Sequence, residues 1–413
     1  MKKVLQINIT ANWGSTGKIA EQINECAQMH GWKTYMAYGR HCNPSSSQLI
    51  RVGKKLDSYL HYGEQSLFDN EGLCSRGATR KLVRQVDEVK PDIVHLHNIH
   101  DHYLNYRILF EYLNKTEIKV VWTFHDFWPV TGHCMHFVSK DCHRYETGCY
   151  DCPMQKVYPK TLMDRSHKNY EMKKALFSAN KYLTIVPVSE WVGEMTRKSF
   201  LKDKPIQVIY NGIDINAFKP TPFSIYHNKE IKARMKGKYV ILSVANQWAF
   251  DKGLEDYKRI SEMLADDEVI ALVGVSDDIR HSLPHNIIGI SRTNNATELA
   301  ALYTRADVVT ILSSAETFGL TVVESFACGT PAIVYDNSAP PALITPKTGA
   351  VVKDKDYKAV YTKIQEFKSS TSANSTTTFK NLHSMDCRQR AVECFDKDKQ
   401  YEKYVKLYEE LLK

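Results

Sequence analysis

The sequence predicts an α/β protein made of two doubly wound domains, each a parallel β-sheet covered by helices on both faces. A chain of 413 residues with 43% hydrophobic residues is too long for one ordinary core and apolar enough to fill two. Short apolar runs alternate with amphipathic helical patterns along most of the chain, which is the pattern of such a sheet. The alternation pauses once, at a segment with glycine and proline, and then restarts.

The first domain is predicted to contain five buried strands. They are the runs KVLQINI, KTYMAY, PDIVHLH, IKVVWTF and LTIVPVS. Amphipathic segments such as 18–30 and 103–114 lie between these runs and predict helices. We therefore expect residues 1–205 to form one Rossmann-like domain.

The second domain begins at VIYNGIDINAFKPTPF, the segment that interrupts the alternation of strands and helices. Its glycine and prolines predict a linker rather than a helix. Its predicted strands are KYVILSVA, EVIALVG, NIIGIS, DVVTILSS and PAIVYD, with helices such as 254–265 and 297–305 between them. We expect this domain to span residues 206–385, and residues 386–413 to form helices that pack back towards the first domain. Ligands bind such sheets at the carboxyl ends of the strands, so a central cleft between the domains is expected.

Composition and net charge indicate the cellular location of the protein and the kinds of partner that it can bind. No apolar run approaches the roughly 18 to 20 residues of a membrane-spanning helix, and the start MKKVLQINIT leads into a strand pattern, so a cytoplasmic chain is expected. The net charge of +8 is too small to indicate a nucleic-acid partner, but it suits phosphorylated ligands or an anionic membrane surface. Basic residues are dense at 54–84 and 161–181, where either a solvated helix face or peripheral contact with the inner membrane face would explain them.

The segment NWGSTGK, after the first predicted strand, looks like a nucleotide-phosphate loop. The P-loop pattern needs a glycine where Asn12 stands and a hydroxyl residue where Ile19 stands, so the match fails. Gly14 and Gly17 still predict a turn whose backbone can approach a phosphate group. A glycine-eased turn beside a solvated lysine, Lys18, would give the same letters.

The most specific pattern is SSAETFGLTVVESFACGTPAIVYD. It predicts a helix that starts at Gly319 and points free backbone N–H groups at an anionic phosphate. Glu316 precedes this helix and Glu324 lies on it, so the two carboxylates can contact hydroxyl groups at different parts of one ligand.

These residues resemble the retaining glycosyltransferases of family 4, which have the GT-B fold of two Rossmann-like domains facing a central cleft. The stretch ETFGLTVVE matches the E-x7-E motif of that family, YNGIDINAF matches its interdomain linker, and PVSEW matches a segment near the end of its first domain. Four further stretches are similar to the colanic-acid-type exopolysaccharide transferases: NWGSTGKIAEQI, HLHNIHDHYLN, TFHDFWPVTGHC and GCYDCP. The resemblance covers most of the chain.

The resemblance implies roles for the matching residues. Glu316 would bind hydroxyl groups of the donor sugar, and Glu324 would hold the ribose. His125, in TFHDFWP, matches a family histidine that contacts the donor sugar. Backbone contacts to sugar and phosphate would come from Phe318, Gly319 and Leu320.

A phosphate clamp is expected in SVANQWAFDKGLEDY. Lys252 stands near a predicted helix start at Gly253, where a positive charge can meet a diphosphate. The family has an arginine five or six residues before this lysine, but Asn246 and Gln247 occupy those positions here. Asn246 is kept as a candidate for nucleotide-sugar binding, and the source of the second positive charge stays open.

Four histidines lie close together in HLHNIHDHY: His95, His97, His100 and His102. Their density suggests a metal centre. However, the first two share one face of a predicted strand and the other two lie beyond its end, which favours lining of the acceptor side. His97 is the best candidate among them.

Four of the ten cysteines cluster in an insertion at about 133–155, namely Cys134, Cys142, Cys149 and Cys152. The C-x2-C pair at 149 and 152 is typical of a structural zinc site, whereas the spacing of the other two is looser. Structural zinc, reduced thiols in an irregular loop, and disulfides are all compatible with this pattern. No neighbouring base indicates catalysis by these thiols.

The resemblance implies a hexosyltransferase-type enzyme of exopolysaccharide, capsule or O-antigen-type biosynthesis. It would move a sugar, with retention, from a nucleoside-diphosphate sugar to a saccharide or lipid-linked saccharide. Stabilisation of the leaving diphosphate would carry catalysis, so no cofactor, divalent metal or protein nucleophile is expected. The alternatives are a nucleotide-sugar epimerase or phosphorylase on the same fold, or a non-enzymatic zinc- or nucleotide-binding module.

Overall fold

The computed structural model describes residues 1–248, 250–372 and 375–413, and it divides into two compact units. The first unit comprises residues 1–212 and 398–413, and the second comprises residues 213–397. Each unit contains one six-stranded parallel sheet with flanking helices, which confirms the predicted α/β class.

The sheet of the first unit has the strand order β3-β2-β1-β4-β5-β6. Its strands are β1 (Lys3–Asn8), β2 (Lys33–Tyr38), β3 (Gln48–Arg51), β4 (Ile93–Leu96), β5 (Lys119–Phe124) and β6 (Leu183–Pro187). Five of them are the predicted buried runs. The edge strand β3 lacked a sequence signal because it is short and largely exposed.

Six helices of the first unit flank this sheet: α1 (Gly14–Met29), α2 (Lys55–Phe68), α3 (Arg76–Val89), α4 (Tyr106–Leu113), α5 (Ser166–Ala179) and α6 (Glu190–Arg197). The helix α1 buries Ile19, Ala20, Ile23 and Ala27, whose helical spacing places them on one face. The segment between β5 and α5 contains only short 3-10 turns, at Trp128–Val130, Val138–Lys140 and Arg144–Glu146.

The sheet of the second unit has the strand order β12-β11-β10-β7-β8-β9. Its strands are β7 (Tyr239–Val244), β8 (Glu268–Val273), β9 (Ile287–Ile290), β10 (Val308–Ile311), β11 (Ala332–Tyr335) and β12 (Gly349–Val352). A short antiparallel pair, β13 (Ser370–Ser372) and β14 (Ser375–Thr377), lies apart from it. The strand β12 was not predicted, because its four residues form only a weak apolar run.

The helices of the second unit are α7 (Lys229–Met235), α8 (Leu254–Ser261), α9 (Asp277–His281), α10 (Ala296–Arg305), α11 (Leu320–Ala327), α12 (Tyr357–Lys368) and α13 (Phe379–Cys394). Within the part of the chain that the structure describes, no helix is long and apolar enough to span a membrane.

The C-terminal helices divide between the units, which differs from the expectation that 386–413 would pack as a whole towards the first domain. The helix α13 packs on α11 in the second unit, where the Arg388 guanidinium donates hydrogen bonds to the carbonyls of Ile215, Phe218 and Ala327 at 2.8 to 2.9 Å. Only the following helix, α14 (Lys397–Leu411), enters the core of the first unit. The boundary between the units lies at 212/213 rather than 205/206.

Buried tyrosines hold α14 in the first unit. The Tyr408 hydroxyl is 2.6 Å from His95 Nδ1 on β4, and the Tyr404 hydroxyl is 3.0 Å from the Thr123 hydroxyl on β5. The Tyr401 hydroxyl donates to the carbonyl of Gly212 at 3.0 Å. Because all three rings are 1% exposed or less, α14 completes the core of this unit.

Candidate functional site

A charged pair lies at the carboxyl ends of two central strands of the second unit. Lys252 lies between β7 and α8, and Glu316 lies between β10 and α11. Lys252 Nζ donates a hydrogen bond to Glu316 Oε1 at 2.7 Å, and the two side chains are 25% and 26% exposed. Burial alone would lower the pKa of Lys252, but the Glu316 carboxylate outweighs it and the net shift is upward. Lys252 therefore keeps its positive charge, and both side chains are accessible to a ligand.

Close backbone packing sets the position of Lys252. Gly253 has φ +73°, and a Cβ atom there would lie 2.3 Å from the carbonyl oxygen of Leu312 at the end of β10. The Ser314 N–H donates to the Asp251 carbonyl at 2.8 Å across the same contact. Only glycine permits this approach, so Gly253 brings the lysine to the loop that carries Glu316.

The start of α11 lies next to this pair. Gly319 takes φ +98° ahead of the helix, no side chain caps it, and the first turn has no acidic residue. The loop before the helix is fixed, because the Glu316 N–H donates to the Ser338 hydroxyl and the Glu316 carbonyl accepts from the Ala339 N–H, both at 3.1 Å. The backbone of Phe318, Gly319 and Leu320 thus presents the positive end of a helix dipole beside Lys252 and Glu316.

Glu324 and Asn246 have partners that sequence reasoning did not anticipate. The hydroxyl of the buried Tyr303 donates to Glu324 Oε2 at 2.8 Å and so orients that carboxylate. Asn246, after β7, accepts a hydrogen bond of 3.3 Å from the guanidinium of Arg292, which follows β9. An arginine therefore lies beside the position where the family pattern places one, although it belongs to the segment after β9 rather than to the segment after β7.

The amino end of α1, directly after the loop that follows β1, contains the two predicted phosphate-facing glycines, and they differ in surroundings. Gly14 is exposed, has φ +67°, and has open space where a side chain would be. Gly17 is buried, and a Cβ atom there would lie 2.5 Å from the Thr10 hydroxyl. Gly17 thus permits the close packing of the start of α1 against Thr10, whereas Gly14 lies on the exposed side of the helix start next to Trp13.

A chain of hydrogen bonds leads from the core of the first unit to His125. Gln6 Nε2 donates to Asn24 Oδ1 at 2.7 Å and to the Ala20 carbonyl at 3.0 Å, which leaves Gln6 Oε1 as an acceptor for His97 Nε2 at 2.6 Å. His97 then carries its proton on Nε2, and its Nδ1 accepts from His125 Nε2 at 3.0 Å.

The same chain determines the protonation state of His125. Burial lowers the pKa of His97 well below its ordinary value and lowers the pKa of His125 to about 4, although Asp126 opposes the latter shift. The ring of His125 is therefore neutral at pH 7, with the proton on Nε2 and with Nδ1 as a hydrogen-bond acceptor. A neutral ring in this orientation can position a ligand hydroxyl.

The other three histidines of this region contact protein groups. His100 Nε2 is 2.8 Å from Asp126 Oδ2, and His102 Nε2 is 2.8 Å from Glu71 Oε2. Although burial opposes it, the carboxylates of Asp126 and Asp101 raise the pKa of His100 to about 10. His95 is bonded to Thr123 and Tyr408. Each of these rings thus has its own partner, and His97 is the one that connects to His125.

The four clustered cysteines meet around one small cavity of about 10 Å³ in the first unit. Cys134 is buried, Cys142, Cys149 and Cys152 are partly buried, and all four are free thiols. Within residues 1–248, 250–372 and 375–413, no group of three or more histidine, cysteine, aspartate or glutamate side chains already stands in a metal-holding arrangement.

Two family models and one curated protein match this chain over most of its length. The family model "Glycosyltransferase Family 4" matches residues 54–217, and "Glycosyl transferases group 1" matches residues 231–381. The chain is 22% identical over 368 residues to the "Putative colanic acid biosynthesis glycosyl transferase WcaC" of Escherichia coli, covering 86% of this chain and 88% of that protein.

Solved structures share the fold. Sucrose-phosphate synthase from Thermosynechococcus elongatus superposes with a TM-score of 0.75 at 16% identity, covering 100% of this chain and 99% of that one. Anabaena Alr3699/HepE in complex with UDP superposes with a TM-score of 0.68 at 13% identity, covering 99% and 100% of the two chains. At these identities the likeness establishes the architecture of two parallel sheets.

Proposed function

Because this chain belongs to the family 4 glycosyltransferases of the GT-B fold, we propose that it transfers a sugar from a nucleoside-diphosphate sugar, with retention, to a saccharide or lipid-linked saccharide. The reaction would serve the assembly of an exopolysaccharide, capsule or O-antigen-type polymer. The name of the Escherichia coli relative, which refers to colanic acid biosynthesis, supports this setting. The UDP complexes of the Anabaena structure support the class of donor.

The pair of Lys252 and Glu316 is the observation that carries the proposal. Lys252 Nζ and Glu316 Oε1 are 2.7 Å apart beside the amino end of α11. A diphosphate that reaches this position would compete for the lysine, with the helix start as a second favourable group. Glu316 would then be released to accept hydrogen bonds from sugar hydroxyls. One event thus binds the leaving group and prepares the sugar contact.

The chemistry follows from the charges that develop in the transition state. As the bond between the anomeric carbon and the diphosphate oxygen breaks, its electron pair stays with the diphosphate. The acceptor hydroxyl attacks from the same face, and its proton passes to the departing phosphate oxygen. Lys252 and the N–H groups at Gly319 would stabilise the negative charge as it grows, so the reaction requires no protein nucleophile, divalent metal or cofactor. Glu324, oriented by Tyr303, would hold the ribose.

Arg292 supplies the second positive charge that the loop at Asn246 lacks. Its guanidinium lies at hydrogen-bond distance from Asn246 Oδ1, 3.3 Å, and it is exposed. Because that contact is weak and at the surface, a diphosphate would displace it at small cost. We propose His125 and the backbone at Gly14, which belong to the first unit, as further contacts to sugar and phosphate.

Nucleotide-sugars should protect the protein against thermal unfolding. A ligand that binds only the folded state at a hundred times its dissociation constant adds about 2.7 kcal/mol to the free energy of unfolding. We expect one family of nucleoside diphosphates and their sugars to raise the melting temperature, and Arg292→Ala to reduce this shift. Arg280→Ala, on an exposed arginine of α9, is the matched control.

The same purified protein distinguishes a glycosyltransferase from a nucleotide-sugar epimerase. The protecting donor, incubated with saccharide acceptors, should give a glycosylated product and a free nucleoside diphosphate. A changed sugar on an intact nucleotide would instead identify an epimerase. If no nucleotide tested raises the melting temperature, the proposed function is contradicted. If the wild type and Arg292→Ala show the same increase in melting temperature, Arg292 does not bind the nucleotide.

The helix α2 gives the proposal of peripheral membrane contact a structural basis. Leu56, Tyr59 and Leu60 on this helix are 67%, 72% and 62% exposed, and Lys54 and Lys55 lie at its start. The neighbouring segment adds Leu162, which is 77% exposed and whose N–H donates to the Ser66 carbonyl at 2.9 Å. Apolar side chains beside basic ones are the composition of a helix that lies in the surface of an anionic bilayer.

A double substitution tests this contact. In sedimentation with vesicles of phosphatidylglycerol and phosphatidylcholine, the wild-type protein should sediment with the vesicles. Leu56→Glu with Leu60→Glu should abolish this binding, because each loses buried CH2 groups worth about 0.8 kcal/mol apiece. Lys229→Glu, on an exposed lysine of α7, is the control for charge alone. Equal recovery of wild type and double variant in the supernatant would contradict the contact.

A further inference from the structure

The cysteine cluster of the first unit includes a histidine that the sequence did not bring into the group. His133 lines the same small cavity as Cys134, Cys142, Cys149 and Cys152. Its Nδ1 is 2.6 Å from Asp69 Oδ1, and both side chains are 1% exposed. Its Nε2 is buried and has no hydrogen-bond partner in the described structure. A buried ring nitrogen without a partner costs free energy, so it calls for an explanation.

The contact with Asp69 is the arrangement by which proteins orient a metal-binding histidine. When Nδ1–H donates to a carboxylate, the proton is fixed on that atom and Nε2 keeps its lone pair for a metal ion. Asp69 is itself held, because its Oδ2 accepts from the Arg165 N–H at 3.0 Å. The ring therefore has one orientation, and His133 lines the cavity around which the cysteines lie.

Backbone groups around the sulfur atoms also suit metal-bound thiolates. The Gly132 N–H donates to Cys149 Sγ at 3.3 Å, and Cys152 accepts a hydrogen bond from the backbone of Met154. Cys134 and Cys152 are hydrogen-bonded to each other. Hydrogen bonds of this kind orient the side chains that surround a metal site.

We propose that this cluster is a structural zinc site, with Cys134, Cys149, Cys152 and His133 as its four ligands. Three thiolates and one imidazole are a usual ligand set for zinc with no open position, and Cys149 and Cys152 supply the usual C-x2-C pair. The side chains do not yet converge on one point, so binding requires the thiol groups to rotate towards the cavity. The surrounding segment has only short 3-10 turns, and a bound ion would tie it together.

The metal content of the purified protein tests this proposal without reference to activity. Protein prepared without added metal should contain one zinc ion per chain by mass spectrometry of the elements. After exchange, the cobalt form should show the absorption of tetrahedral cobalt with thiolate ligands. Cys152→Ser and His133→Ala should each lose the metal or change the cobalt spectrum. Cys42→Ser, at an exposed cysteine of the same unit, should retain the zinc.

Three results would overturn the proposal: a protein with ten free thiols and no stoichiometric metal, a disulfide within the cluster, or zinc retained fully in Cys152→Ser. Loss of zinc in Cys142→Ser but not in His133→Ala would overturn the histidine ligand. Where Cys152→Ser does not fold, zinc release from the wild type during titration with a chelator gives the stoichiometry. Glycosyl transfer plays no part in these measurements, so the two proposals can fail independently.

Discussion

Lys252→Ala should lower the rate constant for glycosyl transfer by about 100- to 1,000-fold, the usual cost of removing one group that stabilises developing negative charge. Lys252 is the basic side chain that the close approach of Gly253 holds against the Glu316 loop. Its loss leaves the departing diphosphate with the helix start and Arg292. The measurement is release of nucleoside diphosphate at saturating donor, together with the Michaelis constant for the donor.

Further variants distinguish a catalytic role of Lys252 from a role in folding. Lys252→Arg keeps the charge and should recover part of the activity, whereas Lys258→Ala, on the partly exposed face of α8, should behave as wild type. Melting temperatures of all variants should stay close to one another, since a partly exposed ion pair contributes little stability. A Lys252→Ala enzyme within threefold of wild type would refute the assignment.

Glu316→Ala should lower turnover of the donor without weakening the binding of the nucleoside diphosphate alone. Glu316→Ala removes the acceptor for sugar hydroxyls, so turnover should fall by at least about 100-fold. The same change frees Lys252 from its 2.7 Å partner. A nucleoside diphosphate without sugar should then bind as well as before or more tightly, because it no longer competes with a carboxylate.

Calorimetry with the nucleoside diphosphate, beside turnover with the full donor, tests this pair of effects. Glu316→Gln keeps an oxygen acceptor and should retain more activity than the alanine variant. Glu255→Gln changes a carboxylate on α8 that is 72% exposed and should alter neither quantity. Weaker binding of the diphosphate in Glu316→Ala would show that the carboxylate helps to hold the nucleotide and would contradict exchange of partners at Lys252.

The sequence predicted the features that depend on neighbouring residues along the chain. Buried parallel strands are continuous apolar runs, so ten of the twelve sheet strands could be recognised, whereas the short edge strands β3 and β12 could not. Glu316, Gly319 and Glu324 lie within one motif of a few residues and were found together. The assignment of α13 to the second unit and of α14 to the first depends on tertiary packing, so no local sequence pattern predicts it.

The missed residues of the candidate site are those whose partners are distant in sequence. Arg292, which follows β9, contacts Asn246, which follows β7, and the sequence around Arg292 contains no motif that predicts this contact. Asp69 meets His133 across 64 positions. Gln6 offered one usable signal, since a fully buried amide in an apolar strand must have partners. That signal indicates a hydrogen-bond network but does not name His97 as its member.

The return of α14 to the first unit imposes an order on biosynthesis. The ribosome makes the six strands of the first sheet early, yet the tyrosines that pair with His95 and Thr123 are made only after the whole second unit. Until then His95 and Thr123 have each other as hydrogen-bond partners but lack the tyrosine hydroxyls of α14. The first unit therefore completes its core only after the second unit has been synthesised, and a chain stopped before residue 398 would lack this packing.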